Sequence, residues 1–150
     1  MKIGIAADHG GFELKQIIYE YLLSLQYEVI DFGAHTKNEL DDYPDLIIPL
    51  ARAVADKKVE RGIAVCGSGV GAAIVANKIA GVRASLINDH FSAHQGVEDD
   101  DMNLLCLGGR ITGTAVAKEL VNAFLESTFS GGEKCLRRLN KVIALEKTNR

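Results

Sequence analysis

The residues best suited to chemistry lie in Gly62-Ile-Ala-Val-Cys-Gly-Ser-Gly-Val-Gly71, where a thiol, Cys66, and a hydroxyl, Ser68, stand between glycines. Ile63 to Val65 reads as a short strand, and the alanine-rich run from Ala72 to Lys78 reads as a helix. Strand, glycine loop and helix in that order aim several backbone N–H groups and the positive end of a helix dipole at one spot, which favours an anion. Gly67 and Gly69 leave the approach open, so a ligand oxygen can reach the amides while sulfur and hydroxyl face the same ligand atom. The same letters have another reading. Gly67-Ser-Gly69-Val-Gly-Ala72 fits the dinucleotide pattern G-x-G-x-x-G/A, with Asp89 about 20 residues on, where a ribose-binding carboxylate would stand. A nucleoside-triphosphate loop is excluded, because no Gly-Lys-Ser/Thr follows the glycines. A cysteine that closes a buried strand is otherwise an inert packing residue, so the surrounding elements decide its role.

Those elements alternate. Lys2 to Ala7 reads as a strand ended by Asp8-His9-Gly10-Gly11. Phe12 to Leu25 follows as a helix, with Leu14, Ile17, Ile18, Tyr21, Leu22 and Leu25 on the packed face and Lys15 and Glu20 in water. Tyr27 to Phe32 is the second strand, Gly33 to Tyr43 a polar acidic loop, and Pro44 the first residue of a helix to about Lys57. After the glycine loop a helix runs from Gly71 to about Ala80, and strands follow at Val82 to Asn88 and Asn103 to Leu107 with a short helix, Phe91 to Val97, between them. Thr112 or Thr114 is expected to cap a helix to about Glu126, with Val116, Leu120, Val121 and Phe124 inward, and Glu133 to Lys147 forms a last basic amphipathic helix. The pattern predicts a three-layer α/β fold of flavodoxin or Rossmann type, a five-stranded parallel sheet with helices on both faces and a C-terminal helix. Ligands of such sheets bind beyond the carboxyl ends of the strands, and there the turns carry Asp8-His9, Cys66-Gly-Ser-Gly, Asp89-His90 and Gly109-Arg110.

At 150 residues the chain is expected to be a single domain, residues 1–150, and 47% hydrophobic with 25% charged residues is ordinary for a globular protein. A formal net charge of -3 gives no general attraction to nucleic acid or to an anionic membrane, which points to small molecules or further copies of the chain as partners. Met1-Lys-Ile-Gly-Ile enters a strand pattern directly, and no apolar run approaches the ~20 residues of a membrane span, so a cytoplasmic location is expected. Cys66, Cys106 and Cys135 are odd in number and widely spaced, which argues against both disulfides and a C-x-x-C metal site.

Taken together, Asp8-His9-Gly10-Gly11, Asp42-Tyr43-Pro44-Asp45, Cys66-Gly-Ser-Gly-Val-Gly, Ala76-Asn77-Lys78, Gly81-Val82-Arg83-Ala84, Asn103 to Arg110 and Gly131-Gly132 resemble the ribose-5-phosphate isomerase B and galactose-6-phosphate isomerase family. The resemblance runs over nearly the whole chain in order and demotes the dinucleotide reading. It implies an aldose–ketose isomerase of phosphorylated sugars, without metal or cofactor, whose active sites form at the interface of a homodimer or dimer of dimers. It further implies Cys66 as the base that moves a proton between C1 and C2, with Ser68 assisting and the loop amides of Gly67, Gly69 and Gly71 holding the enediolate oxygen. Asp8 would contact sugar hydroxyls, His9, Arg110 and Arg137 the phosphate, and Tyr43 would border the pocket. Ala72 occupies the place where some members carry a glutamate, so the chain fits the cysteine branch.

Two departures bear on substrate. The family's His-Asn pair, whose histidine is thought to open the cyclic sugar, is Asp99-Asp100 here. Either His90, His94 or Asp99 takes over that acid–base task, or the substrate needs no ring opening. A four-carbon sugar with phosphate on C4 has no hydroxyl able to close a five- or six-membered ring, which makes erythrulose 4-phosphate/erythrose 4-phosphate the alternative pair to ribose 5-phosphate/ribulose 5-phosphate. The usual Gly-Gly-Arg-His-x-x-x-Arg reads Gly-Gly-Glu133-Lys134-Cys-Leu-Arg137-Arg138, which keeps Arg137 and replaces the first arginine.

Overall fold

A computed structural model describes residues 1–148. Its elements run β1 (Lys2–Ala7), α1 (Phe12–Ser24), β2 (Glu28–Asp31), α2 (Tyr43–Ala55), β3 (Arg61–Cys66), α3 (Val70–Ala76), β4 (Ala84–Leu86), α4 (His90–Asp100), β5 (Leu104–Gly108), α5 (Thr114–Glu126) and α6 (Glu133–Thr148). The five strands are parallel in the order β2-β1-β3-β5-β4. The chain leaves β1 towards one edge and returns across it to β3, so the reversal in strand order falls between these two. At such a switch point the following loops diverge to opposite faces and open a crevice beyond the strand ends. Asp8 follows β1 and Cys66 ends β3, so both stand at that crevice.

Alternation along the strands divides the core in two. Ile3, Ile5, Ile63, Val65, Leu105 and Leu107 pack under α1, α4 and α5. Ala6, Ala64, Cys66, Leu104 and Cys106 face α2 and α3, where the small side chains allow those helices close to the sheet. Cys66 therefore belongs to the α2–α3 side, and the register Cys66↔Gly108 leaves a glycine beside it on β5. No helix among the described residues is long and apolar enough to cross a membrane.

The sequence-based expectations fail at several points for identifiable reasons. Lys15 is 0% exposed instead of wet: its ammonium donates to both carboxylate oxygens of Asp31 at 2.9 Å and to the Ala34 carbonyl, so the charge is paired on the inner face of α1. Ile17, Leu25 and Val116, expected inside, are exposed, and Ala117 takes the inward position on α5. Neither threonine caps α5: Gly113 is the N-cap without a side-chain bond, and the Thr112 hydroxyl is buried without a partner among the described residues. α3 stops at Ala76, and the Asn77 side chain bonds the carbonyls of Ala73 and Ala84 and ties the helix end to β4.

Candidate active site

The three loops at the crevice meet backbone to backbone. A Cβ on Gly109 would lie 2.4 Å from the Gly10 carbonyl oxygen, and one on Gly10 would lie 2.8 Å from the Gly67 nitrogen. Glycine is what lets the ends of β1, β3 and β5 close on one another. Two bonds lock the joint: Gly109 N–H donates to the Cys66 carbonyl at 2.7 Å and Arg110 N–H to the Gly67 carbonyl at 3.0 Å. Arg110 is thereby set over the glycine loop, with its guanidinium 3.5 Å from where a Cβ on Gly67 would be.

Within the loop Gly69 has φ +84° and caps α3. This turn brings its N–H to the Cys66 sulfur at 3.1 Å. The Cys66 sulfur is thereby held by the loop backbone at the wall of the cavity described below. Val70 N–H is taken by the Ser68 hydroxyl oxygen at 3.3 Å, which leaves the Ser68 hydrogen available to a ligand. With those two amides engaged, Gly67, Ser68 and Gly71 retain N–H groups without an intrachain acceptor among the described residues, and an incoming oxygen can use them. Cys106, two strand positions before Gly108, is a different thiol. Burial raises its pKa far above the ordinary thiol range, which leaves it inert.

Asp8, Tyr43, Cys66, Gly67, Ser68, Gly71, Arg110 and Ile111 line one cavity of about 340 Å³. Tyr43, the first residue of α2, lays its ring against Gly71, 2.8 Å from the place of a Cβ there. Asp8 is 7% exposed, and its Oδ1 accepts from Gly10 N–H at 2.9 Å and Gly11 N–H at 3.2 Å. Burial pushes its carboxyl above the usual aspartate range and Asp41 adds to the rise, which His9 and the two amides only partly oppose. A second cavity, about 360 Å³, shares Arg110 and is bordered by His9, Lys37 and Gly109. Two adjoining polar spaces joined at one arginine suit a small ligand with a reactive end and an anionic end.

Asp99, Asp100 and Arg137 lie elsewhere on a single chain. Asp99 accepts from Gln95 Nε2 at 2.8 Å and sits 3.8 Å from the Cys135 sulfur on α6, while exposed Asp100 borders a separate cavity with Arg83 and Ser92. Arg137 is exposed on α6. His94 is paired with Glu98 at 3.1 Å on α4. The carboxylate of the dinucleotide reading is misplaced: β5 separates β4 from β3, and Asp89 accepts Ser92 N–H at 2.8 Å as the N-cap of α4. Asp41, which the sequence offers only as part of an acidic loop, reaches the site by bonding His9 at 2.6 Å. Asp8, His9 and Asp41 also offer metal-ligating atoms within 4.8 Å of one another, but Asp8 Oδ1 and His9 Nδ1 are already committed to hydrogen bonds.

A glycine-cradled thiol and a guanidinium without a side-chain partner among the described residues, at the switch point of a parallel sheet, define an α/β enzyme acting on small anionic substrates. The chain belongs to the Ribose/Galactose Isomerase family, which matches residues 3–142. It is 39% identical over 145 residues to ribose-5-phosphate isomerase B of Escherichia coli, covering 97% of this chain and 96% of that protein. It is 38% identical over 132 residues to D-erythrulose-4-phosphate isomerase of Pectobacterium atrosepticum, covering 88% and 87%. Ribose-5-phosphate isomerase B of Clostridium thermocellum superposes with a TM-score of 0.96 at 42% identity over 100% of both chains.

Proposed function

We propose that this chain interconverts an aldose and a ketose phosphate, with ribose 5-phosphate and ribulose 5-phosphate as the default pair, and that Cys66 carries the proton through an enediolate. The observation that carries this reading is the Cys66 sulfur on the Gly69 amide, facing a cavity shared with Asp8, Ser68 and Arg110. The thiolate removes the proton from C2 of the aldose, and the electron pair moves to form the enediolate. The Ser68 hydroxyl relays a proton from O2 to O1, and the Cys66 thiol then returns its proton to C1. Negative charge on the oxygens exists only along the reaction, so fixed amides stabilise the transition state more than the substrate.

In this account Asp8 binds sugar hydroxyls, Tyr43 closes one wall, and His9 and Arg110 hold the phosphate. Asp99, Asp100 and Arg137 act on the site of a second copy. The homodimer or dimer of dimers is supported by apolar side chains left in water, among them Ile111 on the wall of the site and Ile74, Phe91 and Val116, and by α6, which buries none of its described residues in the chain.

A tetrose pair, erythrulose 4-phosphate/erythrose 4-phosphate, is the second reading. It is favoured by Asp99-Asp100 standing where the family carries its ring-opening histidine, and by the similarity to the Pectobacterium enzyme. Initial rates with ribose 5-phosphate and erythrulose 4-phosphate in parallel decide between them. Preference for the tetrulose means that no ring needs opening; preference for the pentose makes His90, His94 and Asp99 the next residues to change. Turnover of neither contradicts both readings.

A further inference from the structure

Resting on the phosphate-binding role of His9 proposed above, we infer that Asp41 is a positioning residue for phosphate recognition: it fixes the His9 imidazole through Nδ1 and leaves Nε2 to the ligand. One oxygen, Asp41 Oδ1, accepts from the His9 ring nitrogen Nδ1 at 2.6 Å and from the His9 backbone N–H at 3.1 Å. The ring and the main chain of His9 are thus held at one point. A carboxylate only accepts, so Nδ1 carries the hydrogen in this bond and a ligand must be met by Nε2.

The chain is shaped to deliver Asp41 there. Asn38 forms a turn in which its side chain accepts from Leu40 N–H at 3.0 Å and its carbonyl from Asp41 N–H at 3.1 Å. Leu40 points into water while the Asp41 side chain is 14% exposed. The other oxygen, Asp41 Oδ2, is buried without a hydrogen-bond partner among the described residues. Such an oxygen costs stability, so the carboxylate is a poor device for holding the loop and a suitable one for orienting an imidazole.

The charges around His9 make the orientation matter. Asp8 and Asp41 flank it, and Glu13, Lys37, Glu39 and Arg110 border the cavity it lines. Lys37 is paired with Glu13 at 2.7 Å, so the donors left for an anion on this rim are Arg110 and, with Nδ1–H held by Asp41, His9 Nε2 when the ring carries a hydrogen on both nitrogens. A histidine turned away would leave Arg110 to hold the phosphate among carboxylates.

The test measures inorganic phosphate affinity by calorimetry, together with KM and kcat for ribose 5-phosphate and erythrulose 4-phosphate. The proteins are the wild type, Asp41→Ala, Asp41→Asn, His9→Ala and the His9→Ala/Asp41→Ala double variant. Asp41→Ala is expected to weaken phosphate binding and raise KM about tenfold, with kcat within about twofold and no fall in melting temperature. Asp41→Asn, whose amide oxygen still accepts from Nδ1, is expected to recover most of the affinity. Adding Asp41→Ala to His9→Ala is expected to change nothing further. Unchanged phosphate affinity in Asp41→Ala, additivity with His9→Ala, or an asparagine variant as weak as the alanine would each overturn the inference. If wild type turns over neither sugar, the isomerase reading fails while the phosphate titration still tests Asp41.

Discussion

The Gly69 amide donates to the Cys66 sulfur at 3.1 Å, from a residue whose φ of +84° no other side chain adopts cheaply. Conformation and chemistry are coupled here, because the backbone angle that aims the amide is the one that requires glycine. Gly69→Ala would also place a Cβ 2.6 Å from Leu86 Cδ1 and 2.9 Å from the Leu107 carbonyl carbon. We expect a loss of ~2–4 kcal/mol in urea unfolding, the sum of left-handed strain and overpacking, together with a fall in kcat. A variant as stable and active as wild type would separate the loop geometry from catalysis.

Asp8 ties stability to pH. Its carboxyl is raised in the folded chain, first by burial, so its contribution to stability is complete below the ordinary aspartate value of ~3.9 and is lost as pH rises through the raised value. Asp8→Asn keeps an oxygen for the Gly10 and Gly11 amides and removes that loss. Its melting temperature should exceed that of wild type near neutral pH, with the difference fading under ~pH 3.9, while turnover falls. Thermal melts across that range check the sign.

Asp89 has the opposite sign and does not line the cavity of Cys66 and Asp8. The Ser92 backbone N–H and hydroxyl hold its carboxyl below the usual range, so the stability it adds is present at neutral pH and lost as pH falls through the depressed value. Asp89→Ala should lower the melting temperature at pH 7 and leave kcat/KM unchanged. A large loss of kcat/KM would return Asp89 to the list of ligand-binding residues.

The buried ammonium of Lys15 anchors the start of the loop that carries Asp41 and leads into α2 at Tyr43, since Asp31 in turn accepts the Gly33 N–H at 2.9 Å. Lys15→Met leaves the Asp31 carboxylate without its counter-charge. We expect a cost of about 3 kcal/mol, read as a lower urea midpoint, and partial recovery on adding Asp31→Asn. An unchanged midpoint would mean that water replaces the ammonium.

Most of the architecture was legible because the strands and helices are written in apolar period: the expected and observed bounds of the first strand agree, and the last helix differs by one residue. Lys15 was misread since a charge on a helix implies water unless its partner is known, and Asp31 lies 16 residues away on another element. Ile17 and Val116 satisfy the helical period yet stay exposed, because periodicity marks an apolar stripe without saying whether this chain or another copy covers it. That Cys66, Ser68 and Asp8 would converge on one rim was legible from a glycine loop and a strand-end rule, and they line one cavity. Asp41 was not: its signal is a bond across 32 residues, and in the sequence it is one acid among several in a polar loop.

The most direct test of the central claim is isomerisation by wild type and Cys66→Ala in D2O, with substrate affinity measured separately. Proton transfer through the Cys66 enediolate predicts solvent deuterium at the reacting carbon of wild-type product. It also predicts a fall in kcat of ~10²–10⁴-fold for Cys66→Ala, with sugar phosphate still bound within a few fold of wild type. Turnover by Cys66→Ala near the wild-type rate would contradict the account.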